Sequence, residues 1–158
     1  MRNPRIPILM LMLGALLLIQ LHSAQPAGQP SNGERIVVNV ADRTLSIMKD
    51  GKTAAAYPVA IGKPGTPTPA GEFHVLLLDP HPASRTGVYG TRWIEFFRRK
   101  ERDGVLWRYG IHGTNEPGKI GGAVSHGCIR LSNHDIEEVF QRAYVGEAVT
   151  VLDTPGTR

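Results

Sequence analysis

Only one cysteine, Cys128, occurs among the 158 residues, so no intramolecular disulfide framework holds this chain together. Aromatic residues amount to 6%, and no run of Lys and Arg is interleaved with them along a helix. With a formal net charge of just +4, the electrostatic footprint of a nucleic-acid reader is missing, and no nucleic-acid partner is expected. Neither heptads nor internal repeats are found, which removes coiled coils and solenoids. The longest apolar stretch runs from Ile8 to Ile19, short against the ~20 residues of a membrane-crossing helix. That argues against a stable transmembrane span.

What is present fits one globular domain: 41% hydrophobic and 20% charged residues are too apolar for a disordered tail, and the length is too small for a multidomain machine. Arg2 and Arg5 precede the Ile8 to Ile19 run, and small and polar residues follow around Ser23 to Gly28. This is the layout of an export signal. Residues 1–24 are expected to be a signal peptide. The alternative is an uncleaved anchor, because His22 and Gln25, three positions back from cleavage after Ala24 or Ala27, are not small. The expected location is the periplasm or cell envelope, with membrane contact only through this N-terminal segment. Residues 25–34, rich in Pro, Gly and polar side chains, read as a tether. Residues 35–153 read as the folded unit and 154–158 as a tail.

Ile36–Val40 and Thr44–Met48 read as strands joined by a tight Ala41-Asp42-Arg43 connection, and Asp50-Gly51 supplies a hairpin signal. Ala54–Ile61 and Glu72–Leu78 are further strands, flanking a Pro/Gly-rich loop. Val88–Phe97 and Val105–Gly110 also read as strands, with the charged stretch Arg98–Asp103 as a loop or hairpin tip. Turn signals every 8 to 12 residues without a βαβ rhythm predict a mainly β fold, a sandwich or barrel. One helix follows Ser132, where Ser132-x-x-Asp135 resembles a capping box and Ile136, Val139, Phe140 and Ala143 recur at helical spacing up to Gly146. Ala148–Leu152 returns as a terminal strand.

An exported protein usually carries paired cysteines or none, so a lone thiol asks for a reason. The bland one is a small buried residue in a strand. Its neighbours say more. In Val124-Ser-His-Gly-Cys-Ile-Arg-Leu131, strand alternation puts His126, Cys128 and Arg130 on one face and Ile129 and Leu131 on the other. Gly127 suits a backbone that another group approaches closely. A thiolate is the nucleophile of cysteine chemistry, and a nearby imidazolium or guanidinium favours it. A second histidine lies upstream in Tyr109-Gly-Ile-His-Gly-Thr114, and the glycine-rich stretch Asn115–Ala123 can fold His112 back onto Cys128. Spacing leaves the choice of base between His112 and His126 open. The backbone N–H groups of Gly127 and Cys128 are candidates for an oxyanion hole, which acyl transfer requires.

A zinc site made of His112, His126, Cys128 and His134 is the competing reading. The x-His-x-Cys-x spacing is uncommon for zinc, and Arg130 on the same face repels a cation. No metal and no cofactor are expected.

Ile-His-Gly-Thr at 111–114, a glycine-rich spacer and Ser-His-Gly-Cys-Ile-Arg-Leu at 125–131 together resemble the L,D-transpeptidase catalytic domain, also called the YkuD domain. Tyr57–Gly62 followed by Thr66-Pro-Thr-Pro-Ala-Gly-Glu-Phe73 extends the resemblance upstream, and coverage reaches from about Arg35 to Asp153. The resemblance implies a mainly β fold with one short α-helix after the catalytic strand. It also implies a cysteine acyltransferase that releases the terminal D-alanine of a peptidoglycan tetrapeptide stem and passes the acyl group to an amine. On that pattern Cys128 is the nucleophile and His112 the base, oriented by the backbone near Gly113. His126 and Gly127 shape the pocket and oxyanion site, Ser125 supports the turn, and Arg130, Ser125 and Thr114 are assigned to substrate binding. Arg130 stands where several members have Asn, and a guanidinium there suits a substrate carboxylate or supports the thiolate. Trp93, Phe96, Phe97 and Trp107 are expected in a cleft wall, a lid or the core.

Sortases usually set the histidine much farther from the cysteine than the 16 positions found here, and papain-like enzymes reverse the order. The acceptor stays open: a second stem, a lysine of an envelope protein, or water, which makes a carboxypeptidase. A non-catalytic wall-binding module is the reading of another class; it would tolerate Cys128→Ala.

Overall fold

The computed structural model describes residues 33–82, 87–99 and 106–154. The expected signal, most of the tether and residues 155–158 of the tail lie outside them, as does most of the predicted charged loop at 98–103. Among the described residues no helix is long and apolar enough to cross a membrane.

The described chain is mainly β. Its strands are β1 (Glu34–Asn39), β2 (Thr44–Lys49), β3 (Lys52–Pro58), β4 (Ile61–Gly62), β5 (Gly71–Asp79), β6 (Trp93–Arg99), β7 (Leu106–His112), β8 (Ala123–Ser125), β9 (Ile129–Arg130) and β10 (Ala148–Leu152). One α-helix, α1 (Asn133–Arg142), and a 3-10 turn at Pro117–Lys119 complete the set. β1 starts at Glu34, one residue inside the stretch read as tether. Eight strands form one sheet in the order β3-β2-β1-β10-β5-β6-β7-β9, and β4 pairs with β8 in a small second sheet. The large sheet curls until its two ends meet: just past β3, Ala60 exchanges two 2.9 Å hydrogen bonds with Arg130 of β9. Of the two architectures expected, the curled, barrel-like one is realised.

Alternation explains the curl's filling. Ile36 and Val38, Leu45 and Ile47, Phe73 and Val75, Ile94 and Phe96, and Val149 and Val151 all point inward and are buried. Each fully buried side chain of this size contributes roughly 1.5–3 kcal/mol. Ile136 and Val139 bring α1 onto the same core. Ser132 caps the helix as predicted, its Oγ accepting from Asp135 N at 3.1 Å. The helix ends at Arg142, earlier than Gly146, because Ala143 is already extended and returns its N–H to Val139 O. At the predicted hairpin, Asp50 and Gly51 have φ of 50° and 75°, the left-handed pair that a two-residue turn needs. The predicted strand Ala54–Ile61 is split, with β3 ending at Pro58 and β4 restarting at Ile61. Val88–Gly90 form a turn before β6.

Candidate active site

Parallel pairing of β7 with β9 builds the site. Ile111 lies opposite Ile129 and His112 opposite Arg130; just before the paired residues, the Gly110 backbone N–H donates a hydrogen bond to the Cys128 thiol. Residues opposite one another share a face, so His112, Arg130 and Cys128 emerge together while Ile111 and Ile129 enter the core. Adjacent strands are about 4.8 Å apart, which makes His112 the diagonal neighbour of the thiol.

The segment carrying the thiol is a turn, which corrects the expectation of one extended strand from His126 to Arg130. β8 stops at Ser125, and Gly127 adopts φ +113°, a conformation that side chains rarely take. Its absent Cβ also matters, since one would stand 3.1 Å from Tyr109 Cε1. His126 therefore leaves the face of Cys128 and Arg130; it is exposed, with Nε2 3.1 Å from Lys63 Nζ. Ser125 ties the turn from below. Its Oγ donates to Cys128 O at 2.5 Å and accepts from Gly127 N at 3.1 Å. The Gly127 N–H is thus already engaged, which corrects its assignment to an oxyanion hole. Ser125 is also fully buried, so it is a turn support without access to a ligand.

The Thr-Pro-Thr-Pro loop clamps this turn. Thr66 Oγ1 donates to Ser125 O at 3.2 Å, and Thr68 Oγ1 donates to Gly127 O at 3.0 Å while accepting from Gly62 N at 2.9 Å. A Cβ on Gly62 would overlap the loop backbone at Thr66 and Thr68. The loop is thereby bound to the thiol's turn through one buried hydroxyl, Thr68, and one half-buried hydroxyl, Thr66.

His112 is buried, and its Nδ1 lies 2.6 Å from Gly113 O. A carbonyl only accepts, so Nδ1 carries the proton and Nε2 is left as the acceptor. Burial, opposed by the Gly113 bond and reinforced by Arg130, takes the imidazole down to about 4. Burial likewise pushes the Cys128 thiol up, against the lowering pull of the Gly110 hydrogen bond and Arg130. Near neutral pH both groups rest uncharged. At both groups dehydration outweighs the nearby guanidinium charge or the hydrogen bond that would oppose it. Cys128 as a residue is half-buried.

Arg130 pairs with Glu116, Nη1 to Oε2 at 3.5 Å, and its buried Nε has no partner among the described residues. Thr114 is buried, its N–H donating to Asn133 Oδ1 at 3.1 Å and its Oγ1 accepting from Glu116 N at 3.0 Å. Like Ser125 it shapes the loop and presents no open hydroxyl. Gly113 packs against Asn133, whose Oδ1 a Cβ there would overlap. His134 reaches Glu138 on the exposed side of α1 at 3.2 Å, and His126 reaches Lys63, so the four residues considered for zinc diverge. Among the described residues no three His, Cys, Asp or Glu are grouped to hold a metal ion.

The L,D-transpeptidase catalytic-domain profile, YkuD, matches residues 33–151, the whole curled sheet up to β10. The chain belongs to this family. It is 38% identical to the YkuD protein of Bacillus licheniformis over 74% of its length and 36% identical to that of Bacillus subtilis over 73%, spanning 64% of each relative. Among solved structures, the catalytic domain of the E. faecium L,D-transpeptidase is 25% identical with a TM-score of 0.55, covering 77% of this chain and 98% of that one. Within the family domain, sequence reading missed Thr68 and Asn133 as organisers and left Trp93 unresolved between wall and core. Two signals were available. Gly110, two positions before His112, leaves space for a large ring, and Asn133 at the first position of α1 can reach back toward the Gly113-Thr114 backbone.

Proposed function

We propose that this chain is a cysteine acyltransferase of the cell envelope acting on peptidoglycan stem peptides, with Cys128 as nucleophile and His112 as general base. The observation that carries this reading is the β7–β9 ladder, which sets the thiol diagonally beside an imidazole whose Nδ1 is tied to Gly113 O. The thiol attacks the carbonyl that precedes the terminal D-alanine while its proton passes to His112 Nε2. Collapse of the tetrahedral adduct breaks the C–N bond, and the departing amine of D-alanine takes that proton. A thioester on Cys128 remains. An incoming amine then attacks it, loses a proton to His112 and forms the new amide, while the sulfur regains the proton.

The oxyanion is assigned to the Cys128 N–H, since the Gly127 N–H serves Ser125. Arg130, whose Nε has no partner among the described residues and whose Nη1 lies 3.5 Å from Glu116 Oε2, is assigned to a substrate carboxylate. His126 and Gly127 shape the rim, and Gly113 orients the base. Because both reacting groups start neutral, proton transfer accompanies attack and no standing ion pair is needed. Residues 1–24 are proposed to direct export.

The test incubates residues 25–158 with a disaccharide-tetrapeptide and follows the products by mass spectrometry. Release of D-alanine with cross-linked dimers is expected, and Cys128→Ala should abolish both. Tripeptide without dimers would make water the acceptor. An active Cys128→Ala protein would overturn the assignment.

A further inference from the structure

The site face carries more aromatic surface than acyl transfer itself uses. Trp93 stands opposite His112 in the β6–β7 ladder. Its indole lies flat on the imidazole, with centroids 5.2 Å apart and planes 20° apart. Tyr89, from the turn before β6, meets both rings edge-on, at 5.2 Å from His112 and 4.8 Å from Trp93. Two glycines make this possible. A Cβ on Gly110 would overlap the indole, and one on Gly90, at φ +63°, would overlap Asn133 and the Gly113-Thr114 backbone.

We propose that Trp93 is a positioning residue for His112, holding the imidazole with Nδ1 on Gly113 O and Nε2 free toward Cys128. A single hydrogen bond resists rotation of the ring about its Cβ–Cγ bond only modestly; a flat neighbour on one side and an edge on the other add a steric barrier. The same rings keep water from the imidazole. Other groups facing His112 are Arg130 and Cys128 from the β9 side, Asp79 and Glu95 on the same sheet face, and Glu116 through Arg130. The low value of about 4 for His112, caused first by burial, agrees with such a cover.

This inference rests on His112 as base, yet its test does not need turnover. In the full chain labelled at histidine nitrogen, NMR should show a single Nδ1–H tautomer of His112 titrating near 4. Trp93→Leu should raise that midpoint above about 5 and mix the tautomers, because water regains the ring. Trp93→Phe should restore much of the original behaviour. Gly110→Ala keeps Trp93 but displaces it, and should reproduce the Trp93→Leu spectrum. With the tetrapeptide, Trp93→Leu should lower kcat about tenfold or more, with KM changed less than twofold. A folded Trp93→Leu protein with the original midpoint and tautomer overturns the proposal; should that variant not fold, unchanged His112 signals in Gly110→Ala overturn it equally. Altered signals with unchanged D-alanine release uphold the positioning and instead remove His112 as the base.

Discussion

His112 and Glu147 are both almost wholly buried ionisable groups, 2% and 1% exposed, one at the end of β7 and the other in the turn before β10. Burial drives each toward its neutral form: the imidazole falls from 6.5 to about 4, and the carboxyl rises from 4.5 to about 7 with Glu34 nearby adding to the rise. Their surroundings differ. His112 shares an outer face with a thiol and a guanidinium, whereas Glu147 closes the turn between α1 and β10, accepting from Tyr144 N at 3.3 Å. Its backbone is bound to β5, Val75 N to Glu147 O at 2.8 Å. An unusual protonation state therefore supports a proposal of reactivity only where a nucleophile such as the Cys128 thiol stands nearby. At Glu147 the same dehydration serves packing alone.

The two groups also pull stability in opposite directions with pH. For His112 the unfolded chain binds more protons between about 4 and 6.5, so its contribution is complete above 6.5 and is lost as pH falls through about 4. For Glu147 the folded chain binds more protons between 4.5 and about 7, so its contribution is complete below 4.5 and is lost as pH rises through about 7.

The widest separation between the two regions is expected in chemistry. His112→Gln should slow acyl-enzyme formation roughly 10²–10⁴-fold, the usual span for a general base, in a single-turnover mass measurement. Glu147→Gln should leave that rate within about twofold, and a comparable slowing in both variants would erase the difference between the two buried groups. Thr68→Val comes next. It strips partners from Gly62 N and Gly127 O and should cost about 1–3 kcal/mol in urea unfolding, together with a loss of thiol reactivity that no change near Glu147 produces. Smaller again, Glu147→Gln should raise stability at pH 8 by about 1 kcal/mol, less than the full shift corresponds to because the buried amide of Gln also loses its water. It should also flatten the decline of Tm between 4.5 and 7. A Tm profile identical to the parent's would show that Glu147 does not titrate there. Least of all, His134→Ala removes an exposed pair with Glu138 and should change stability by no more than about 0.5 kcal/mol, with full activity.

Legibility followed the range of the interactions. Strands β1, β2 and β5 and the capped start of α1 were readable because alternation, an Asp-Gly turn and a serine cap act over a few neighbouring residues. The break in the segment around Cys128 was not, since Gly127 is compatible with a strand until Tyr109 and Thr68 are brought against it from elsewhere. Ser125 and Thr114 look like available hydroxyls in a list of residues, but Ser125 is spent on its turn and Thr114 is buried, accepting from Glu116 N. Phe96 resolved into core, whereas Trp93, on the opposite side of the same strand, covers the histidine.

The order of residues alone determined a β-rich unit, the capped helix after Ser132, the lone thiol and the two motifs that bring an imidazole to it, because each is written in composition, local periodicity or turn chemistry. Which histidine faces the sulfur, which nitrogen holds the proton and whether either group is charged were decided by the assembled sheet. Those properties depend on dehydration and on donors supplied by distant strands, and neither exists until β6, β7 and the Cys128 turn are packed together.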